Sequence, residues 1–225
     1  MTTFHEGGAY LKVAAIIPAY NEEQTIGNVL SVLVNNRNIE EIIVVSDGSV
    51  DETVRAASKY ERVMVVDLLE NRGKGGAVKA GLDQTDADII LVLDADLIGL
   101  TGAHIKSLLE PVTGGDALMS VGIFEKGRVA TDFAQKVAPF LSGQRAVRRD
   151  LLENISDLDL TRFGIEIALH GYVEENEITT EIVQLQDLSH VMKEEKLGLW
   201  KGMSARAKMY WEIIRYVAKI DINDQ

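Results

Sequence analysis

Ile89-Ile90-Leu91-Val92-Leu93-Asp94-Ala95-Asp96 decides the reading of this chain: an unbroken apolar run that ends in two carboxylates one residue apart. An apolar run of that length, without alternation, fits a strand buried on both faces. The same form recurs upstream. Lys12–Ile17 contains Val13-Ala14-Ala15-Ile16-Ile17 and is expected to stop at Pro18, Glu41–Ser46 contains Ile42-Ile43-Val44-Val45, and Val63–Asp67 is a further strand. Helical patterns separate the strands. Gln24–Val34 places Ile26, Val29, Leu30, Leu33 and Val34 at helical spacing, Asp51 is the expected N-cap of a helix reaching about Tyr60, and Gly75–Thr85 is the next helix. Strand and helix alternate from residue 12 to residue 94. The expected fold is therefore α/β, an open, mostly parallel, Rossmann-like sheet with helices on both faces.

Sheets of this kind bind ligands outside the carboxyl ends of their strands. Four segments fall there: Pro18-Ala19-Tyr20-Asn21-Glu22-Glu23, Ser46-Asp47-Gly48-Ser49-Val50-Asp51, Asn71-Arg72-Gly73-Lys74-Gly75-Gly76 and Asp94-Ala95-Asp96. Asp94 and Asp96 repel each other unless a cation lies between them. Hard oxygen ligands in a chain without cysteine suit Mg²⁺ or Mn²⁺. Free backbone amides and Lys74 at a glycine-rich helix start suit a phosphate. Asp47 can accept from a base or ribose, and Tyr20 can face a base. The plain alternatives are a capping pair in a solvated loop for the aspartates, an ordinary turn at Asp47, a flexible helix start at Lys74 and a packing role for Tyr20.

Beyond residue 100 the pattern loosens. His104–Val112 reads as helix, Ala117–Ile123 as strand, Asp150–Ile155 and Gly164–Glu175 as helices, and Ile178–Leu185 as extended. Ala205–Ile220 reads as an amphipathic helix, with Tyr210, Ile213, Val217 and Ile220 opposite Lys208, Glu212, Arg215 and Lys219. The 225 residues are 46% hydrophobic and 26% charged, the balance of a globular protein. The absence of cysteine excludes disulfides, thiolate metal sites and cysteine nucleophiles. No apolar run reaches the length of a membrane span, and residues 1–10 do not read as a signal peptide, so the expected location is cytoplasmic. A net charge of −12 argues against a nucleic-acid partner. Two segments depart from it. Residues 124–149 hold six Lys/Arg against two acids and residues 193–219 seven against three, each a net +4. They suggest an anionic partner, and the second is compatible with a peripheral position on the inner membrane face.

The set of residues 16–30, 44–53, 71–82 and 91–97, in that order, resembles the nucleotide-sugar-binding half of family 2 glycosyltransferases with the GT-A fold. The resemblance implies a hexosyltransferase that uses a UDP- or GDP-sugar and a divalent metal. It implies that Pro18, Ala19, Tyr20, Asn21, Glu22, Asp47 and Gly48 hold the nucleoside, that Lys74 lies near the diphosphate, and that Asp94, Ala95 and Asp96 form the metal-binding DxD motif. Residues 141–149 are similar to the Ser-Gly-x-Arg segment of polyprenyl-phosphate sugar synthases and glucosyl-3-phosphoglycerate synthases. That likeness implies acceptor contacts from Ser142, Gly143, Arg145 and Arg148, with Arg149 beside them, to a phosphorylated, anionic acceptor. Arg162-Phe163-Gly164-Ile165-Glu166-Ile167 is similar to a later Gly-x-Glu segment of both, and His190 falls where the phosphoglycerate enzymes complete the metal site.

The resemblance implies one GT-A domain over residues 1–225, with the donor half at about 12–100 and the acceptor half at about 101–225. A homodimer is compatible with it. No clean copy of the base motif of inverting members is present. Glu166 is the expected catalytic carboxylate beside Asp96, with Asp132 behind it, and the stereochemical outcome stays open. Two other classes are weighed against this one. A phosphatase of the haloacid-dehalogenase type would carry its Asp nucleophile on the first strand, not the fourth. A non-catalytic nucleotide-binding domain has no need of both aspartates together with Lys74. The glycine fingerprint of dinucleotide oxidoreductases is missing after the first strand.

Overall fold

The computed structural model describes residues 5–6, 9–124, 142–155 and 165–190. Strands β1 (His5–Glu6) and β2 (Ala9–Tyr10) form a small antiparallel pair. The main sheet follows. Its first four strands are β3 (Val13–Ala19), β4 (Glu41–Asp47), β5 (Val63–Leu68) and β6 (Ile89–Val92). They are linked by helices α1 (Ile26–Leu33), α2 (Thr53–Ala57) and α3 (Gly73–Leu82). Then come β7 (Leu97–Ile98), α4 (Gly102–Thr113), β8 (Met119–Phe124), β9 (Arg145–Arg148), α5 (Arg149–Glu153), α6 (Ile165–Glu175), β10 (Thr180–Leu185) and β11 (Ser189–His190). The seven-stranded sheet has the order β10-β8-β9-β6-β3-β4-β5, and β11 pairs with β7 in a separate ribbon. The sheet belongs to a compact unit running to Ser189.

Side-chain alternation along each strand builds two cores. Val13, Ala15 and Ile17 of β3 join Ile26, Leu30 and Leu33 of α1 on one face, with Leu108 and Leu109 of α4. Ala14 and Ile16 face the other way, onto Ala77, Val78 and Leu82 of α3, and Leu151, Leu152 and Leu169 lie in the same cluster. The apolar strands are thus buried on both faces, as their composition requires.

Three local departures have physical causes. Pro18 does not end β3, which runs on to Ala19. Leu93 N–H donates to Ile16 O at 3.2 Å, so the backbone of Ile16 faces β6, and that of Pro18, two residues on, faces the same side. The β3–β6 ladder has already ended at Ile16–Val92, so the missing N–H costs no ladder bond. Helix α2 starts at Thr53 and ends at Ala57, with Glu52 at the N-cap position. Asp51 still accepts from the Thr53 amide, at 3.0 Å, from one residue further back. Helix α4 starts two residues before His104 because Thr101 and His104 close a capping box: the His104 amide donates to Thr101 Oγ1 at 3.3 Å and the Thr101 amide to His104 Nδ1 at 3.2 Å.

The larger departure is β9. Residues 145–148 form a strand inserted between β6 and β8, antiparallel to both, while the six other strands of the sheet run one way. Its register pairs Arg145 with Val92 and Arg148 with Ile89. Arg145 therefore sits at the carboxyl end of β6 and Arg148 at its amino end. The expected helix at 205–220, the basic segment 193–219 and Asp132 lie outside the described residues. Among the described residues, no helix is long and apolar enough to cross a membrane.

Helix α3 lies tight against β3 at Gly81, where a Cβ would come 2.6 Å from Ile16 Cγ2 and 3.2 Å from Val45 Cγ2. Gly81→Val is expected to lower stability by about 1–3 kcal/mol through overpacking, read as a lower urea midpoint at unchanged m-value.

Candidate active site

The loops that leave β3 and β4 are tied to each other. The Asn21 amide donates to Ser49 Oγ at 3.1 Å, and Asn21 Oδ1 accepts from the Val50 amide at 2.9 Å. The Glu22 amide donates to Thr53 Oγ1 at 2.7 Å, and the Glu23 amide to Asp51 Oδ2 at 3.2 Å. Asn21 takes up a φ of 57°, a left-handed conformation that asparagine tolerates better than most residues. Glu22 Oε2 accepts from Thr25 Oγ1 at 2.6 Å. Tyr20 is half exposed at the rim, while Pro18 and Ala19 belong to β3 itself.

Asp47, at the end of β4, is buried at 4% exposure, and its Oδ1 accepts from the Arg72 amide at 2.7 Å. Its carbonyl accepts from Asn71 Nδ2 at 3.1 Å. Asp47 thus fixes the segment that leads into α3. Gly48 follows with φ 70°, and a Cβ there would lie 2.7 Å from the Asn71 nitrogen, so glycine is required where the two loops cross.

Asp94, Ala95 and Asp96 follow the end of β6, with Ala95 and Asp96 in a turn. Ala95 points into the core, and the two aspartates share the partly exposed side. Lys74, in the first turn of α3, reaches Asp94 Oδ1 at 2.6 Å and Glu166 Oε1 of α6 also at 2.6 Å. The other oxygen of Asp94, Oδ2, accepts from Gln144 Nε2 at 2.7 Å. Burial alone would push the Lys74 ammonium toward its neutral form, but the charges of Asp94 and Glu166 outweigh it and hold the lysine above its ordinary range. Arg145 is 2% exposed, and its Nε donates to Ser142 O at 3.1 Å. Burial draws its guanidinium down to about 10, and the charges of Glu166 and Asp94 oppose the drop, so it stays charged at neutral pH. Two cations and two carboxylates are packed together here.

Asp94, Asp96 and His190 can each offer one ligand atom, all within 4.8 Å of one another. The pairing of β11 with β7 carries this neighbourhood, because β7 begins directly after Asp96 and β11 ends at His190. Gly99, with φ 84°, lets the backbone turn where a Cβ would come 2.6 Å from Asp187 O. The two carboxylates are hard oxygen donors that suit Mg²⁺ or Mn²⁺, and the imidazole is a borderline donor that of these two fits Mn²⁺ better.

The structure brings Lys74, Asp94, Asp96, Glu166 and His190 to one place and Asp47 to the end of β4, which β3 separates from β6. It places the expected acceptor group differently. Arg145 is buried, so its guanidinium is no surface fork for a phosphate. Arg148 lies at the opposite end of β9 because that strand is antiparallel to β6. Arg149 lies there too and acts structurally: Nη1 donates to Thr85 O at 2.6 Å, Nη2 to Leu82 O at 3.3 Å, and Nε pairs with Glu153 at 2.7 Å. Ser142 and Gly143 support the donor side instead. Ser142 is buried, with its Oγ bonded to Gly122 O and to Gln144 Oε1, and a Cβ on Gly143 would collide with Lys74 Nζ and both Asp94 oxygens. Glu166, expected as the catalytic carboxylate, has Oε1 committed to Lys74. Gln144 is a site residue that the sequence did not single out. It occupies the variable position of the Ser-Gly-x-Arg segment, and no spacing marks it.

Gly143→Ala is expected to pry the Lys74–Asp94 pair apart and to destabilise by about 1–3 kcal/mol, read in urea unfolding. The Asp51 carboxyl is held below its ordinary value of 3.8. Burial opposes this, and hydrogen bonds from the Thr53 hydroxyl and from the Glu23 and Thr53 amides outweigh it. A lowered carboxyl contributes stability that is fully present above 3.8 and lost as pH falls through the folded-state value. The stability gap between wild type and Asp51→Asn should therefore be full at neutral pH and narrow in acid, as thermal unfolding across pH will show.

Comparison with known proteins agrees with this geometry. A family model described as "Glycosyl transferase family 2" matches residues 14–167. The dolichyl-phosphate beta-glucosyltransferase of Drosophila melanogaster is 41% identical over a stretch covering 40% of this chain and 32% of that protein. The poly-beta-1,6-N-acetyl-D-glucosamine synthase of Staphylococcus aureus (strain COL) is 39% identical over 38% of this chain and 22% of that protein. The chain thus spans about a third or less of the length of these curated relatives. Among solved structures, glucosyl-3-phosphoglycerate synthase from Mycobacterium tuberculosis in complex with Mn²⁺, UDP-glucose and phosphoglyceric acid superposes with a TM-score of 0.67 at 25% identity. The superposition covers 84% of this chain and 75% of that one. The same enzyme with Mg²⁺ and UDP gives a TM-score of 0.68 at 26% identity, over 84% and 74%.

Proposed function

This chain belongs to glycosyl transferase family 2, and from that premise we propose that it moves a hexose from a nucleoside-diphosphate sugar to a phosphorylated acceptor. The observation that carries the reading is the Lys74 ammonium shared between Asp94 and Glu166 at 2.6 Å each, beside Asp96 and His190. That arrangement places a firmly held ammonium at the carboxyl ends of the strands, where a leaving diphosphate would develop negative charge, and a metal ion held by Asp96 and its neighbours would offset the surplus of carboxylates.

Asp47 and the tied loops after β3 and β4 would hold the nucleoside, and the glycines around Lys74 let a phosphate approach the start of α3. Lys74 would donate hydrogen bonds to the diphosphate as the sugar–oxygen bond breaks. Glu166 would act by holding Lys74 in place, since an acceptor hydroxyl would have to compete with that ion pair for its oxygen. Asp96 and His190, with Asp94 next to them, would hold a Mg²⁺ or Mn²⁺ ion, which when bound supplies Lewis-acid stabilisation of the leaving group. The metals and UDP-glucose found with the mycobacterial enzyme support this donor and cofactor. The acceptor class rests on two relatives, one named for dolichyl phosphate and one crystallised with phosphoglyceric acid. The lipid-linked form would place the protein at a membrane surface.

The test measures UDP release from UDP-glucose with Mn²⁺ and, in separate arms, polyprenyl phosphate, 3-phosphoglycerate or a neutral sugar. Release with one of the phosphorylated acceptors is expected, and that arm names its source. Asp96→Asn should lower it by roughly 10²–10³-fold, and excess chelator should abolish it. Inorganic phosphate as the product would establish a phosphatase instead. Nucleotide binding without turnover in every arm would establish a binding module.

A further inference from the structure

We infer that Gln144 is a positioning residue for sugar transfer: its buried amide clamps the Asp94 carboxylate and, through it, sets Lys74 where the donor diphosphate is met. The inference rests on the donor-site reading above.

Gln144 is fully buried, at 0% exposure, in the segment that leads into the central strand β9. A buried amide must have partners for both of its ends. Nε2 donates to Asp94 Oδ2 at 2.7 Å, and Oε1 accepts from Ser142 Oγ at 3.1 Å. The orientation of the amide is fixed by chemistry, since a carboxylate only accepts and must face the NH₂ end. Ser142 Oγ in turn reaches Gly122 O on β8 and accepts from the Gln144 amide at 3.3 Å. The Gln144 carbonyl accepts from the Gly122 amide at 2.9 Å. The single Ser142 hydroxyl proton is shared between Gly122 O and Gln144 Oε1, so Gln144 is anchored to β8 chiefly by its own backbone carbonyl, and its side-chain amide carries that anchorage to Asp94, which Lys74 links to Glu166.

The clamp divides labour between the two aspartates. With Oδ1 on Lys74 and Oδ2 on Gln144, Asp94 is gripped from both sides and cannot turn without breaking a charge-assisted bond. Lys74 alone is a weak grip, because a lysine is a flexible point charge that follows its strongest anion, and an incoming diphosphate is a stronger anion than one carboxylate. Gln144 holds Asp94 from the rigid sheet side, so Lys74 keeps a fixed tether while it engages the donor. Asp96 lies beside the clamp, and its carboxylate, that of Asp94 and the His190 ring each offer an atom within 4.8 Å of the others. Gly143 makes the clamp possible, since any Cβ there would collide with the pair it serves.

The test compares steady-state kinetics and thermal unfolding of wild type, Gln144→Met, Ser142→Ala and the double variant, with UDP-glucose, Mn²⁺ and the phosphorylated acceptor that wild type uses. Gln144→Met keeps length and bulk but loses the amide. It is expected to lower kcat by about 10- to 100-fold, the worth of a hydrogen bond to a charged group, with acceptor KM unchanged and a lower melting temperature, since Asp94 loses a partly buried partner. Ser142→Ala should lower kcat less, and the double variant should be no worse than Gln144→Met, because the serine acts through the amide. Should Gln144→Met fail to fold, Gln144→Asn takes its place: it stays polar but is too short to reach Asp94, and should show the same loss in kcat. Active wild type with a fully active Gln144 variant, or with additive losses in the double variant, overturns the clamp alone. An inactive wild type in every acceptor arm overturns the clamp together with the donor-site reading.

Discussion

The carboxylate of Asp94 is the point at which separate parts of the chain are forced to agree. It stands at the end of β6, takes an ammonium from the start of α3 and an amide from the segment before β9, and through Lys74 reaches α6. Each of these elements has its own packing reason to be where it is, but only one arrangement satisfies all of the buried polar groups at once. An unpaired charge at this depth costs several kcal/mol, far more than a misplaced methyl group. The cluster therefore discriminates among nearby packings of the same apolar surfaces, which burial by itself does weakly.

Electroneutrality is the second condition. Lys74 and Arg145 balance Asp94 and Glu166, and the balance has a direction. Lys74 is held firmly protonated by contact with both carboxylates, whereas Arg145 is drawn down by its burial and stands further back. The positive charge nearer to solvent is thus the lysine. Under the proposed function a lysine suits that position, because it can exchange partners without the two-pronged grip of a guanidinium.

Much of this could be read in the sequence because two signals coincide. The strands β3, β4 and β6 are apolar without interruption, a composition that only a doubly covered sheet accommodates, and the residues following them carry the chemistry. The gathering of Lys74, Asp94 and Asp96 at the strand ends was legible for that reason. The part beyond residue 124 was less legible because burial there does not follow hydrophobicity. Arg145-Ala146-Val147-Arg148 has charged ends and reads as surface, yet it fills the centre of the sheet, its first arginine tolerated by Glu166 and Asp94 close by. The ribbon strands β7 and β11 have two residues each, too few for any periodicity to register. Gln144 escaped for a related reason: a polar residue declares its function by its partners, and its partners are 50 and two residues away.

The reversed strand β9 also bears on how the chain reaches this state. Strands β6 and β8 flank a gap that only residues 145–148 can close, and those residues follow both neighbours in the chain. During synthesis β6 and β8 emerge with unpaired backbone edges, one of them on the strand that ends in Asp94. Such edges pair readily with a second nascent chain, so the interval before β9 arrives is the period of greatest exposure to aggregation. The strand that closes the gap is continuous with the segment that carries Gln144. Closing the interior gap of the sheet therefore also brings Gln144 to Asp94, and a ribosome-bound chain stalled before that segment would present β6 and β8 unjoined, while Glu166, β10 and His190 follow later in the chain.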